Sequence, residues 1–321
     1  MKKKSLFINF LVSIIFGSLL LYFVFQKIDL SVFFARLDSV NYSWIWLSII
    51  ISIFEHIIRA FRWNLLMEKK SDSLTTFKTT IVLIVSYFTS LIFPRFNDFV
   101  RCYLISKTNT IKLSTSLGTV VSERIIDVLS LIVLAVLLLI IEYEIFVNLL
   151  IDIIGKINFN FINIVFIFFV IVIVLYLFKI LVKRSNFINT KFKEFKFGFF
   201  AFKDVYYRWD FLLSTFFLWV IYYLMGYVIF FALQETSHLG FNAGLAVLVA
   251  GTLGMIVPVN AGIGAYHFLV ASILLNYTIS YETGLFFATL IHGSQVVSLI
   301  LFGFVSSILL FIIIKSKSKK D

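Results

Sequence analysis

The sequence predicts an all-α, polytopic integral membrane protein with about six full spans and two opposed re-entrant hairpins in an inverted repeat. Of its 321 residues, 61% are hydrophobic and only 14% are charged, so long stretches are too apolar to stay in water. Several apolar runs reach about 20 residues, the length that crosses a hydrocarbon core of about 30 Å. Two shorter apolar stretches stop at a proline and predict the hairpins.

Six apolar runs are long enough to cross a bilayer as helices. The first run follows a basic start, but no small-residue cleavage pattern precedes Lys27, which favours a retained anchor over a cleaved signal peptide. The six runs cover residues 5–26, 44–66, 117–143, 161–182, 211–233 and 284–314. The two shorter stretches, 79–93 and 244–257, are closer to the length of a half-helix.

Basic residues indicate how the short stretches lie, because cytoplasmic loops collect Lys and Arg. If each short stretch enters and leaves the membrane on one side, the loops on the outer side contain only three basic residues, Lys27, Arg36 and Lys156. If the first stretch crossed once, the densely basic loop 183–208 would lie outside, against that rule. We therefore predict re-entry, a location in the cell (inner or plasma) membrane, and two cytoplasmic termini.

The loop 183–208 has its own periodicity, with aromatic residues at alternating spacings of three and four and lysines at other phases. This pattern predicts an amphipathic helix on the anionic inner leaflet, and a packed connector is the alternative. The aromatic residues are Phe192, Phe195, Phe199, Phe202 and Tyr206.

The only two prolines, Pro94 and Pro258, occupy matching places in an internal repeat. The helices that follow contain DVLSLIVL and QVVSLILF, which match Asp127 with Gln295. Inverted repeats with broken helices are typical of transporters with a site at mid-membrane, and chance similarity is the alternative. The predicted segments are 1–43 (anchor span and outer interfacial segment), 44–141 (repeat one), 142–210 (connecting span and basic loop), 211–314 (repeat two) and 315–321 (basic tail).

Charged residues concentrate in and around the first hairpin, within otherwise apolar sequence. An ionised residue at a helix centre costs about 2.5 to 3.5 kcal/mol on insertion scales, so these residues must be paired or reached by water. They are candidates for substrate binding, and mutual pairing as a scaffold is the alternative. The candidates are Arg59, Arg62, Arg95, Asp98, Arg101, Glu123, Arg124 and Asp127.

The second hairpin supplies further candidates for substrate binding. Gly262 and Gly264 permit positive φ and a close approach of backbone to a ligand. Asn260 and His267 are polar side chains beside them, although a buried histidine is often a hydrogen-bonded packing residue. In the repeat, His292 and Gln295 of the last span are expected to face this hairpin.

No catalytic motif, metal-ligand pattern or nucleotide-binding loop is recognisable, so we expect no catalytic residue, no metal and no cofactor. The single cysteine, Cys102, excludes an internal disulfide and paired-cysteine metal sites. The net charge of +11 lies in short patches beside apolar runs, which argues against nucleic acid as a partner. A homo-oligomer is compatible with the sequence.

Four motifs in order resemble the lysylphosphatidylglycerol synthase transmembrane region family, whose members are also called flippase-like. The motifs are RAFRW (59–63), PRFNDFVR (94–101), ERIID (123–127) and PVNAGIG (258–264). Asn97 stands where a glycine is usual, and His267 where many members have glutamate. The resemblance implies a module similar to the one that moves aminoacylated phosphatidylglycerol between leaflets. With a chain end at Asp321, the soluble aminoacyl-transferase domain is expected to be absent.

The residues and the resemblance together predict a flippase-like transporter of a membrane lipid with a phosphate-bearing headgroup. The lipid would pass through a polar groove between the two hairpins. The alternative is a membrane enzyme, or an accessory subunit of one, that acts on lipid-linked intermediates. A purely structural scaffold is a third possibility.

Overall fold

The computed structural model describes residues 36–67, 74–91, 96–108, 111–154, 185–205, 208–257 and 263–317, and these ranges contain helices and no strand. The predicted spans 5–26 and 161–182 lie outside these ranges. In chain order the helices are α1 (Tyr42–Met67), α2 (Thr76–Ser90), α3 (Asn97–Thr108), α4 (Leu113–Ile141), α5 (Tyr143–Ile154), α6 (Asn186–Phe199), α7 (Phe202–Val205), α8 (Trp209–Tyr227), α9 (Phe241–Ile256), α10 (Ala265–Leu275) and α11 (Tyr281–Lys317).

Four of the described helices are long and apolar enough to cross a membrane, which makes the chain a multi-pass membrane protein. They are α1, α4, α8 with its 3-10 continuation to Ala232, and α11. Each coincides with a predicted span. The prediction of an all-α membrane protein is therefore confirmed for the described residues.

The two short apolar stretches form helices that fold back on the segments after them. Helix α2 packs against α3, and α9 packs against α10. A Cβ on Gly254 of α9 would lie 2.6 Å from the Cα of Tyr266 in α10, so only glycine permits this approach. At 15 and 16 residues, α2 and α9 are shorter than the core is thick. Both prolines lie outside the described residues.

The long helix α11 shows how the two hairpins are arranged. The second hairpin packs on its first half, where Gly284 meets Ala271, and His267 near the hairpin bend lies beside His292. The first hairpin packs on its second half, where Gly303 meets Phe88 near the end of α2. The end of α2 and the start of α10 thus lie beside positions 303 and 292 of α11, which are about 16 Å apart at 1.5 Å per residue.

Helix α6, from the basic loop, packs closely on α4. A Cβ on Gly118 would lie 2.1 Å from the carbonyl oxygen of Phe195, and one on Gly198 would lie 1.9 Å from that of Thr115. Ser122 also donates a hydrogen bond to the carbonyl of Phe199. The described residues of the predicted aromatic stripe are half-buried. This arrangement agrees with the packed-connector alternative.

Candidate functional site

Four arginines and four carboxylates from α1, α3 and α4 meet in one network inside the helix bundle. Their charges balance within the described residues. The pairing that buried charges require is thus supplied by residues that lie far apart in the chain. The members are Glu55, Arg59, Arg62, Asp98, Arg101, Glu123, Arg124 and Asp127.

Glu123 is the hub of this network, and its side chain is only 1% exposed. Its Oε1 lies 3.3 Å from Arg59 and 3.1 Å from Arg62, while its Oε2 lies 2.8 Å from Arg101. Arg62 and Arg101 have no exposed side-chain surface. A buried charge is tolerable only when opposite charges compensate it in this way. This part of the network is closed to solvent.

Helical spacing explains how the sequence brings these groups together. Asp98 and Arg101 pair at 2.9 Å with i,i+3 spacing, and Glu55 and Arg59 pair at 3.1 Å with i,i+4 spacing. Glu123 and Asp127 lie one turn apart on the same face of α4. Both therefore reach the same guanidinium of α1.

Aromatic side chains complete the surroundings of the arginines. The guanidinium of Arg101 lies 4.8 Å from the ring centre of Trp63, within cation–π range. Arg59 donates hydrogen bonds to the hydroxyls of Tyr87, at 2.9 Å, and Tyr222. Sequence reasoning missed both tyrosines, because nothing distinguishes them in a chain with 18% aromatic residues.

The network becomes accessible at its edge, where Arg124 has 41% of its side chain exposed and Asp98 has 33%. Two hydrogen bonds join them, from Nε at 3.1 Å and from Nη2 at 2.8 Å. This bidentate geometry is the one by which a guanidinium binds carboxylate or phosphate. The edge therefore holds the most exposed of the four arginines in this network.

A cavity of about 410 Å³ joins this network to the second hairpin. Arg59, Arg124 and Asp127 line it on the network side, while Tyr266 of α10 and Gln295 of α11 line it on the other. The volume is in the range of small-molecule sites, which are mostly apolar with a few polar groups. The remaining lining residues are Val128, Leu131, Trp219, Tyr222, Tyr223, Met225, Gly226, Gly244, Val247, Leu248, Gly251, Thr252, Met255, Ile256 and Ile291.

The lining agrees with the internal repeat, since the matched residues Asp127 and Gln295 both border the same cavity. Six described candidates are not among its lining residues: Arg62, Asp98, Arg101, Glu123, Gly264 and His267. Their role in substrate binding stays a prediction. Three other candidates, Arg95, Asn260 and Gly262, lie outside the described residues.

Two residues of the second hairpin, Gly264 and His267, lie as the sequence predicts. Gly264 has a φ of 86°, which few residues other than glycine adopt, and it directly precedes α10. His267 is 5% exposed, and its ring centre lies 5.2 Å from that of His292. Within the described ranges, no cluster of three or more His, Cys, Asp or Glu residues is suited to hold a metal ion.

Comparison with known protein families identifies a match to most of the chain. The family model described as the lysylphosphatidylglycerol synthase TM region matches residues 10–303, a range that contains all four motifs. No curated protein and no solved structure matches the chain.

Proposed function

The chain belongs to the lysylphosphatidylglycerol synthase transmembrane region family, and on that premise we propose that it moves a lipid with a phosphate-bearing headgroup between membrane leaflets. Membership itself relates the chain to lipid modification or transport in a membrane. Movement between leaflets is a more specific function than membership of the family implies, and the cavity supports it.

The observation that carries the proposal is that one cavity has arginines at one side and apolar walls around it. A phospholipid needs both, because its phosphate requires charged partners and its glycerol and acyl region requires apolar surface. A soluble metabolite would not need so apolar a lining. A lipid therefore fits this cavity better than a small polar solute.

The depth of the arginines supports transport rather than surface binding. Glu123 lies ten residues, or about 15 Å, into α4. Because the 29 residues of this helix are longer than a core about 30 Å thick, a centred α4 places Glu123 about 8 Å inside the core. A charged headgroup at that depth must exchange water for protein partners. Arg59 and Arg124 supply such partners at the cavity wall.

Asp98 gives the site a way to release its ligand. Arg124 binds Asp98 with two hydrogen bonds while both side chains are partly exposed. A phosphate that enters the cavity would compete with Asp98 for the guanidinium of Arg124. When the lipid leaves, Asp98 would bind Arg124 again. The buried pairs around Glu123 keep the helices in place during this exchange.

The proposal is tested in liposomes that contain the purified protein and a fluorescent phospholipid, with a membrane-impermeant quencher added outside. Protein-dependent exposure of inner-leaflet lipid is expected, and Arg124→Gln should slow it about tenfold or more, the loss typical of a charged hydrogen-bond partner. Arg208→Gln is the matched control, because Arg208 is 40% exposed, pairs with Asp210 and does not line the cavity.

Rates equal to those of empty liposomes for phosphatidylglycerol, phosphatidylethanolamine and phosphatidylcholine alike would contradict the proposal. Mass spectra of the same liposomes test the enzyme alternative. A new lipid species without redistribution between leaflets would favour that alternative.

A further inference from the structure

Helix α6 has an outer face that its packing on α4 does not explain. Phe187, Phe197 and Phe200, the last just beyond the helix, are 71%, 58% and 44% exposed. Lys191 lies 5.9 Å from the ring centre of Phe187, and Lys203 lies 4.7 Å from that of Phe200. Exposed aromatic rings among lysines are typical of helices at a membrane interface.

The contacts with α4 show in which direction α6 runs along that helix. Lys112, just before α4, binds Glu194 at 2.9 Å, whereas Ser122 within α4 bonds the carbonyl of Phe199. Helix α6 therefore runs in the same direction as α4, and its last residues lie about 15 Å beyond Lys112 along that helix. Lys191 therefore lies towards the basic end of α4, whereas Phe197 and Phe200 lie further along that helix, with Lys203 beside Phe200.

The charge on this face is positive. Hydrogen bonds from Lys112 and Lys191 hold the pKa of Glu194 below its usual range, so this carboxylate stays ionised and occupied by those two lysines. Lys193, Lys196 and Lys203 are also exposed. Such a face is complementary to the anionic phospholipids of the cytoplasmic leaflet.

We propose that the outer face of α6 binds the anionic headgroups of the cytoplasmic leaflet through its lysines and inserts Phe197 and Phe200 at the acyl boundary. Lysine stems reach back to the headgroups while their methylene groups lie against the rings. The face that contacts lipid is thus a different one from the half-buried aromatic stripe. This site is separate from the cavity and does not depend on the transport proposal.

The test uses the full-length protein with a nitroxide on Phe197→Cys, or on Phe200→Cys if the first variant does not fold. Gln234→Cys, in an exposed turn away from α6, is the water-exposed control. Collision rates with oxygen and with a nickel chelate are measured in nanodiscs of phosphatidylcholine, with and without phosphatidylglycerol. We expect an oxygen-to-nickel ratio several-fold higher at 197 than at 234, and higher again with phosphatidylglycerol.

Replacing the four lysines 191, 193, 196 and 203 with glutamine should abolish the increase caused by phosphatidylglycerol. A label at 197 as accessible to nickel as the control would overturn the proposal. So would a label that neither reagent reaches, because protein would then cover the face. Equal depth in both lipids would overturn the role of the lysines.

Discussion

Glu123 is the residue whose loss should damage the protein most, because three arginines depend on its carboxylate. We expect Glu123→Gln to destabilise the protein by about 3 kcal/mol, since removing one partner of a buried ion pair leaves charge uncompensated. Thermal unfolding can be followed with a thiol-reactive dye, because Cys102 is the only cysteine and is fully buried. Glu194→Gln, whose lysine partners Lys112 and Lys191 are 65% and 46% exposed, is the control and should barely change the midpoint. Equal midpoints for the two variants would show that the network does not stabilise the fold.

For individual residues, the sequence predicts ion pairs within one helix better than ion pairs between helices. The i,i+3 pair of Asp98 and Arg101 follows directly from helical spacing. The pairing of Arg59 with Glu123 does not, because it depends on how α1 packs against α4. Tyr222, in contrast, lies in the middle of an apolar aromatic span, where nothing in one sequence separates a tyrosine that lines a cavity from one that only packs.

Among the helices, the contact between α4 and α6 depends most sharply on single glycines. We expect Gly118→Ala to destabilise the protein by about 1 to 3 kcal/mol, the usual cost of overpacking, because its Cβ would meet backbone that cannot rotate away. Gly293→Ala is the matched control, since it is also helical and has no atom within 4 Å of the new Cβ. It should be neutral or stabilising by up to about 1 kcal/mol, because alanine favours helix. Unfolding midpoints of the two variants provide the measurement, and a tolerated Gly118→Ala would mean that α6 is not packed on α4.

Hydrophobic length predicts the four described spans nearly to their ends, because the bilayer sets that length in advance. The packing of α6 is harder to predict. Its lysines suit a membrane surface and its aromatic stripe suits a protein core, so both interpretations satisfy the same periodicity. Gly118 and Gly198 let one side of α6 pack closely on α4, but a lone glycine in a helix does not indicate in the sequence which helix it will contact.

For the whole molecule, the proposed path of a lipid depends on the two predicted hairpins and on the cavity, which borders the second of them. The sequence predicts the hairpins because proline cannot continue a helix and the stretches before it are short. It does not predict the cavity, which arises where α4, α8, α9 and α11 fail to fill the space between them. Such a gap depends on side-chain packing in three dimensions, which periodicity along one helix cannot express.

The side of the membrane from which each hairpin enters decides whether the two are inverted. Re-entry predicts that cysteines at Thr75 and Lys107, which flank the first hairpin and are exposed, react with an impermeant maleimide only in inverted vesicles. Cysteines at Gln234 and Asn276, which flank the second, should react only in intact cells. Tyr143→Cys, beyond the far end of α4, is the control for a true crossing and should react from the side opposite to Lys107→Cys. Reaction of Thr75→Cys and Lys107→Cys from opposite sides would mean that the first stretch crosses completely. The opposed hairpins, and with them the proposed path of the lipid, would then be wrong.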